Sequence, residues 1–209
     1  MTPKRKKTAA YRGVRMPPET RRTMIVDAAL RALADRGFEG LRTRDVAADA
    51  GINSATLHHY FPTKNDLVVA VADELRTRFQ TKPDRAGRES TSPQRAFRQQ
   101  FDDVLHYQTE QPELLAVYRE LAVRATRDAF VARLVAELNR TWRDDVRSIL
   151  EHARDRGVLR DTVDVDVAAR IVVSAIWDMS MVSQSRAELD ALHRQLAALL
   201  MIGPKESGL

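Results

Sequence analysis

From residue 17 onward the chain sets apolar residues at intervals of three and four, and no segment alternates as a strand would, so the expected fold is all-α. Pro17 and Pro18 open a first helix, where a missing N–H costs nothing, and Val26, Ala29, Leu30, Leu33 and Gly37 follow one face of it. A short second helix, capped by Thr43, turns Val46, Ala47 and Ala50 inward and ends at Gly51. Asn53 caps a third short helix on which only Leu57 and part of Tyr60 face the core. Thr63 and Asp66 have capping-box spacing for a fourth helix, with Leu67, Val71, Leu75 and Phe79 as its stripe. Residues 81 to 93, rich in Lys, Pro, Asp, Gly and Ser, read as a loop. Further helices are expected near 94–110, 112–125, 129–156, 165–183 and 187–202, with Pro112 at a first helical position, Gly157 as a C-terminal cap and Asp164 as an N-cap.

Two short helices joined at Ala50-Gly51-Ile52, with small residues at the crossing, read as a helix-turn-helix. Its second helix leaves Ser54, Ala55, Thr56, His58 and His59 facing outward, groups that can meet base edges in a major groove.

This stretch resembles the DNA-binding domain of the TetR (tetracycline repressor) family of bacterial regulators. The residues that carry the resemblance are Gly37-Phe38, Thr43, Ala50-Gly51-Ile52, Thr56-Leu57, Tyr60-Phe61, Lys64 and Leu67. It departs from the family at His58, where Tyr is most frequent, and at Asn53 in place of Ser, although Asn caps a helix as well as Ser does. The motif resemblance spans about residues 19 to 70, and the rest agrees only in the order of its helices. Ser54, Ala55, His58 and His59 are expected to read bases, while Thr43, Arg44, Thr56, Tyr60 and Lys64 hold phosphates.

Charge adds a second nucleic-acid signal. Residues 1 to 22 hold eight cations, including Lys4, Arg5, Lys6 and Lys7, against Glu19 alone; this local +7 leaves −2 for the rest of a chain totalling +5. Such an arm ahead of a helix-turn-helix can reach phosphates or a minor groove, or it is only a solubilising tail. Composition narrows the class further. A hydrophobic content of 44% can support a real core, and the lack of cysteine excludes a disulfide framework or a thiolate metal site. The basic N-terminus is followed by no apolar run, so neither a signal peptide nor a membrane span is expected, which fits a cytoplasmic protein.

Leu189, Leu192, Leu196 and Leu199 repeat at three, four and three. With Val172, Ile176 and Met179 on the preceding helix they form a seam that either packs within one subunit or pairs with a second copy as a four-helix bundle. The resemblance implies a dimer, since the family dimerises through its last two long helices. Phe101, Leu105, Tyr107, Leu115, Tyr118, Trp142, Trp177 and Met181 are large groups on successive helices that are either core or the lining of a cavity for a mostly apolar ligand. The resemblance implies the cavity, and His106, His152, Asp178 and Gln184 are candidates for its polar contacts.

Catalysis has little support. His58 and His59 are adjacent, so they point about 100° apart on a helix and do not chelate one metal as a pair at i and i+4 would. There is no phosphate loop and no recognisable nucleophile motif. The organisation expected is a basic arm (1–16), a helix-turn-helix domain (17–67) and a helical ligand-binding and dimerisation domain (68–209), without cofactor. The function expected is a transcriptional regulator, a ligand-released repressor that binds a palindromic operator as a homodimer. The alternative is a constitutive or architectural DNA-binding dimer with no inducer.

Overall fold

The computed structural model describes residues 17–81, 92–181 and 185–201. Among them lie nine helices and no strand: α1 (Pro18–Gly40), α2 (Thr43–Asp49), α3 (Ser54–Tyr60), α4 (Lys64–Gln80), α5 (Pro93–Glu110), α6 (Pro112–Ala125), α7 (Ala129–Asp155), α8 (Val165–Met181) and α9 (Arg186–Leu200). The single β-type pairing among these residues is an isolated antiparallel bridge between Leu159 and Met201, which ties the end of α9 to the segment after α7.

Most boundaries follow from local chemistry. Asn53 accepts the Thr56 N–H at 2.8 Å, and Thr63 and Asp66 close a full capping box at the start of α4. Gly51 and Gly157 both sit at φ +67°, the left-handed setting that ends a helix at no steric cost. Asp164 accepts the Val167 N–H at 3.0 Å. Two details differ from the pattern. Thr43 is the first residue of α2 rather than its cap, because Arg42 holds the extended cap position and offers no side-chain acceptor. The last helix starts at Arg186, ahead of the expected 187, because Ser185 and Glu188 form a second capping box.

Two apolar clusters organise the molecule. The first joins α1 to α4 with one face of α6 and the start of α7: Leu33, Leu57, Leu67, Leu114 and Leu121 are all fully buried in it. Each such side chain contributes about 1.5–3 kcal/mol of transfer free energy. α1 packs more extensively on α6 than on any helix of its own N-terminal group. The second cluster joins α5, α7, α8 and α9 around Phe97, Phe101, Leu150 and Val172.

The last two helices are turned differently from the expected seam. Val172, Ile176, Leu189 and Leu196 point into the second cluster, and Met179 and Leu192 pack half-buried against it. The stripe is the internal one because α8 and α9 must cover α5 and α7. Of the seven residues expected at a partner, only Leu199 is exposed, at 66%. The outward face of α8 is instead Val167, Ile171, Ser174 and Asp178, at spacings of four, three and four.

Candidate nucleic-acid interface and cavity

The N-terminal helices present one short, rigid surface. Leu57 is the one fully buried residue of α3 and anchors it, so Ser54, Ala55, His58 and His59 are all exposed while Thr56 and Tyr60 are half-buried. His59 meets the Tyr60 ring edge-on at 5.5 Å, and His58 Nδ1 lies 3.3 Å from the Pro62 carbonyl. Between the start of α1 and α3 runs an open groove lined by Pro17, Pro18, Arg21, Asn53, Ala55, Thr56, His59 and Tyr60. It brings five of the sequence-predicted contact residues or their cap to one face, with Arg21 as the cation at its rim. Arg44 is exposed and Thr43 half-buried on the neighbouring α2. Lys4, Arg5, Lys6 and Lys7 lie outside the described residues.

Lys64 differs from the simple expectation of a phosphate-facing lysine. Its ammonium donates to the Phe38 carbonyl at 3.1 Å and lies 4.6 Å from the Phe38 ring centre. Burial lowers its pKa from the ordinary lysine value, Glu39 opposes that and Arg124 adds to it. Phe38 is thereby a junction. Glu120 of α6 accepts its N–H at 3.0 Å, and Arg124 of α6 covers its ring at 4.6 Å while pairing with Glu39 at 2.9 Å and Asp128 at 3.2 Å. A second tie sits at the other end of α4, where Arg78 bridges Glu74 at 2.8 Å and Asp27 of α1. Sequence reasoning missed Glu120 and Arg124, since a charged residue on a long amphipathic helix carries no local mark of what it will meet.

A narrow cavity of about 80 Å³ opens among α4, α5, α6, α7 and α8. Of the residues proposed from the sequence as pocket candidates, Tyr107, Leu115, Tyr118 and Trp142 line it. Phe101 and Leu105 belong to the second cluster, Trp177 packs behind Tyr118 at 4.3 Å, and Met181 is not on the wall. Of the polar candidates, His106 contacts Gln111 at 3.4 Å, neither His152 nor Asp178 is on the wall, and Gln184 lies outside the described residues. The polar lining comes instead from Arg76 and Gln80 on α4, Gln100 and Asp103 on α5, Asn139, Thr141 and Asp145 on α7, and Ser180 on α8. Gln100 and Asp103 were findable: they fall at i−7 and i−4 from Tyr107, polar residues on the face that α5 buries. Burial raises the Tyr118 pKa, and its hydroxyl donates to Asn139.

The described residues hold no group of three or more His, Cys, Asp or Glu arranged to hold a metal, and no helix among them is long and apolar enough to cross a membrane.

Comparison with known proteins agrees with this architecture. Residues 25–71 match the family described as bacterial regulatory proteins, tetR family. The HTH-type transcriptional repressor KstR2 of Mycolicibacterium smegmatis is 28% identical over 167 residues, 77% of this chain and 78% of its own. A TetR-family transcriptional regulator from Agrobacterium tumefaciens superposes with a TM-score of 0.75 at 19% identity, covering 89% of this chain and all of that one. A TetR transcription regulator from Haloarcula marismortui gives 0.73 at 22% identity, with coverage of 88% and 100%. The helix-turn-helix, the all-helical second half and these relatives together support reading the chain as similar to the DNA-binding transcriptional regulators of the TetR family.

Proposed function

We propose that the protein is a repressor that binds an inverted-repeat operator as a homodimer and leaves it when a small molecule enters the cavity. One observation carries this reading. α4 begins with the capping box that follows α3 and ends with Arg76, Phe79 and Gln80 on the cavity wall, so one rigid element touches both places. A ligand that binds the conformation with the wrong half-site spacing more tightly than the DNA-bound one shifts the population; equal affinity would shift nothing.

On DNA, Ser54, Ala55, His58 and His59 read base edges, and Thr43, Arg44, Thr56 and Tyr60 hold phosphates. Lys64 reaches a phosphate only by leaving Phe38, which makes its contact sensitive to how α1 sits on α6. The arm with Lys4, Arg5, Lys6 and Lys7 adds phosphate contacts. The partner face is the exposed stripe of Val167 and Ile171 on α8 with Leu199 on α9. These three are more than half exposed in the single chain and are the apolar side chains that a second copy would cover.

The test is selection of binding sites from random duplex DNA, followed by footprinting. The expected product is an inverted repeat with half-sites about one helical turn, or a small multiple of it, apart. A direct repeat or a single half-site overturns the dimer reading. A bound operator that no ligand of the intact protein ever releases favours a constitutive binder.

A further inference from the structure

One histidine of α3 has its hydrogen-bonding role set by the fold, and this names the base edge it meets, on the reading just given that Ser54, Ala55, His58 and His59 face bases. His58 is exposed, and its Nδ1 lies 3.3 Å from the carbonyl oxygen of Pro62 in the turn before α4. A carbonyl only accepts, so Nδ1 is the nitrogen that carries the proton. The neutral ring then holds Nε2, turned away from Pro62, as an acceptor. The turn that supplies the carbonyl is fixed on both sides. Phe61 is buried and donates its N–H to the Leu57 carbonyl at 2.8 Å, and Thr63 closes the capping box with Asp66. Among the described residues no ionisable side chain on a neighbouring element takes the second nitrogen. Arg44 and Asp45 of α2 and Arg21 of α1 make no bond to His58, while Asp49 pairs with Arg36 at 3.0 Å, Lys64 with the Phe38 carbonyl and Asp66 with Thr63. His59 differs, since it meets Tyr60 edge-on and no acceptor among the described residues fixes its tautomer.

In a major groove the bases divide by what they present. Cytosine offers only its N4 amino donor and adenine an N6 amino donor beside N7, whereas guanine and thymine offer acceptors. An acceptor nitrogen is satisfied by the first pair and left facing another acceptor by the second, which costs binding. We propose that neutral His58 reads an exocyclic amino group, the N4 of cytosine or the N6 of adenine, at one base pair of its site. Tyrosine, the residue most frequent at this place in the family that the stretch resembles, has a hydroxyl that both donates and accepts, so it makes no such choice. Protonation turns Nε2 from acceptor to donor and inverts the preference: cytosine is then rejected and the O6 and N7 of guanine are accepted. The base chosen at this position therefore changes with the charge on the imidazole.

The test is selection from random duplex DNA at about pH 8 with the full-length wild type and with His58→Ala, an exposed substitution expected to keep the fold by circular dichroism. The position whose preference differs between the two is expected to carry adenine or cytosine for the wild type. The amino group is then removed from that base alone, by placing purine for adenine or pyrimidin-2-one for cytosine. Wild-type affinity should fall about fivefold or more beyond any loss shared with His58→Ala, the lower end of a lost base contact. At about pH 5 that excess loss should shrink. Each ratio is taken within one pH, so the attraction of a charged ring to phosphate, common to all sites, cancels. Proton–nitrogen correlation spectra of labelled histidine, assigned with His58→Ala, should place the proton of neutral His58 on Nδ1. A position that carries guanine or thymine, an amine whose removal costs both proteins alike, or a proton on Nε2 overturns the proposal and leaves His58 a base reader. If His58→Ala changes no position, the base-reading assignment fails and the proposal with it.

Discussion

The carboxylate of Glu120 accepts the backbone N–H of Phe38 at 3.0 Å, one residue beyond Gly37, whose φ of +67° aims that N–H toward α6. Lys64 takes the carbonyl of the same residue, so both backbone groups of Phe38 are held by side chains from other helices. Glu120→Ala is expected to cost about 1–3 kcal/mol in urea unfolding, because it leaves a half-buried donor without its acceptor. A loss below a few tenths of a kcal/mol would mean that water replaces the carboxylate freely.

Gly37→Ala should destabilise by about 1–3 kcal/mol from the backbone alone, because φ 67° with ψ −175° is a conformation essentially confined to glycine. A Cβ there would also approach Glu120 Oε2 to 3.0 Å. The two changes are therefore expected to be non-additive: Gly37→Ala should cost less in the Glu120→Ala background than in the wild type. A double-mutant cycle with no coupling would show that the carboxylate yields at no cost.

On DNA, the division of labour predicts opposite signatures for two exposed residues. Arg44→Ala should weaken a selected operator and scrambled DNA alike, whereas His59→Ala should lower their ratio by about 1–3 kcal/mol. Gel-shift titrations at fixed salt measure both. An unchanged ratio for His59→Ala removes it from base reading.

For the partner face, Ile171→Asp with Leu199→Asp is expected to give a folded monomer by light scattering and circular dichroism, since both side chains are more than half exposed. Leu196→Asp should instead unfold the second cluster, because it places a charge where Leu196 is only 7% exposed. A dimer surviving the double substitution at 171 and 199 would place the interface elsewhere.

His193 makes stability depend on pH. Its ring packs on Phe101 at 5.2 Å and Phe97 at 5.8 Å, and its buried Nδ1 has no hydrogen-bond partner. Burial pulls its pKa below the usual 6.5; Arg98 and Arg194 add to this and Asp102 and Asp190 oppose it. Between the folded value and 6.5 the unfolded chain binds more protons, so stability falls as pH drops from 6.5 and levels off below the folded pKa. His193→Phe should flatten thermal melts over that window. An unchanged slope would assign the dependence to other groups.

The helix order was legible because the chain marks its helix ends with Asn53, Thr63, Gly157 and Asp164, residues that act locally. The outward face of α3 was legible for the same reason, since a seven-residue helix with one buried Leu turns its remaining residues outward. Burial on α8 and α9 was not. Val167, Ile171, Val172 and Ile176 are all aliphatic, and periodicity finds two stripes without saying which one covers α5 and α7. Lys64 and Glu120 were hidden because their partners are remote in sequence or lie in the backbone, which no side-chain pattern reports. Asp145 was passed over because a carboxylate one turn from an aromatic residue looks like any solvated position until helix packing encloses it, whereas the buried face of α5 did mark Asp103.

Both tryptophans of the chain, Trp142 and Trp177, stand at or directly behind the cavity, and none lies on α1 to α4. The protein thus carries an optical reporter confined to one compartment. Near-ultraviolet emission will register events around Tyr118 and Gln100 and be largely silent to contacts made by α3. A spectral change on adding operator would therefore be a direct sign that the two halves communicate, with no label attached to either.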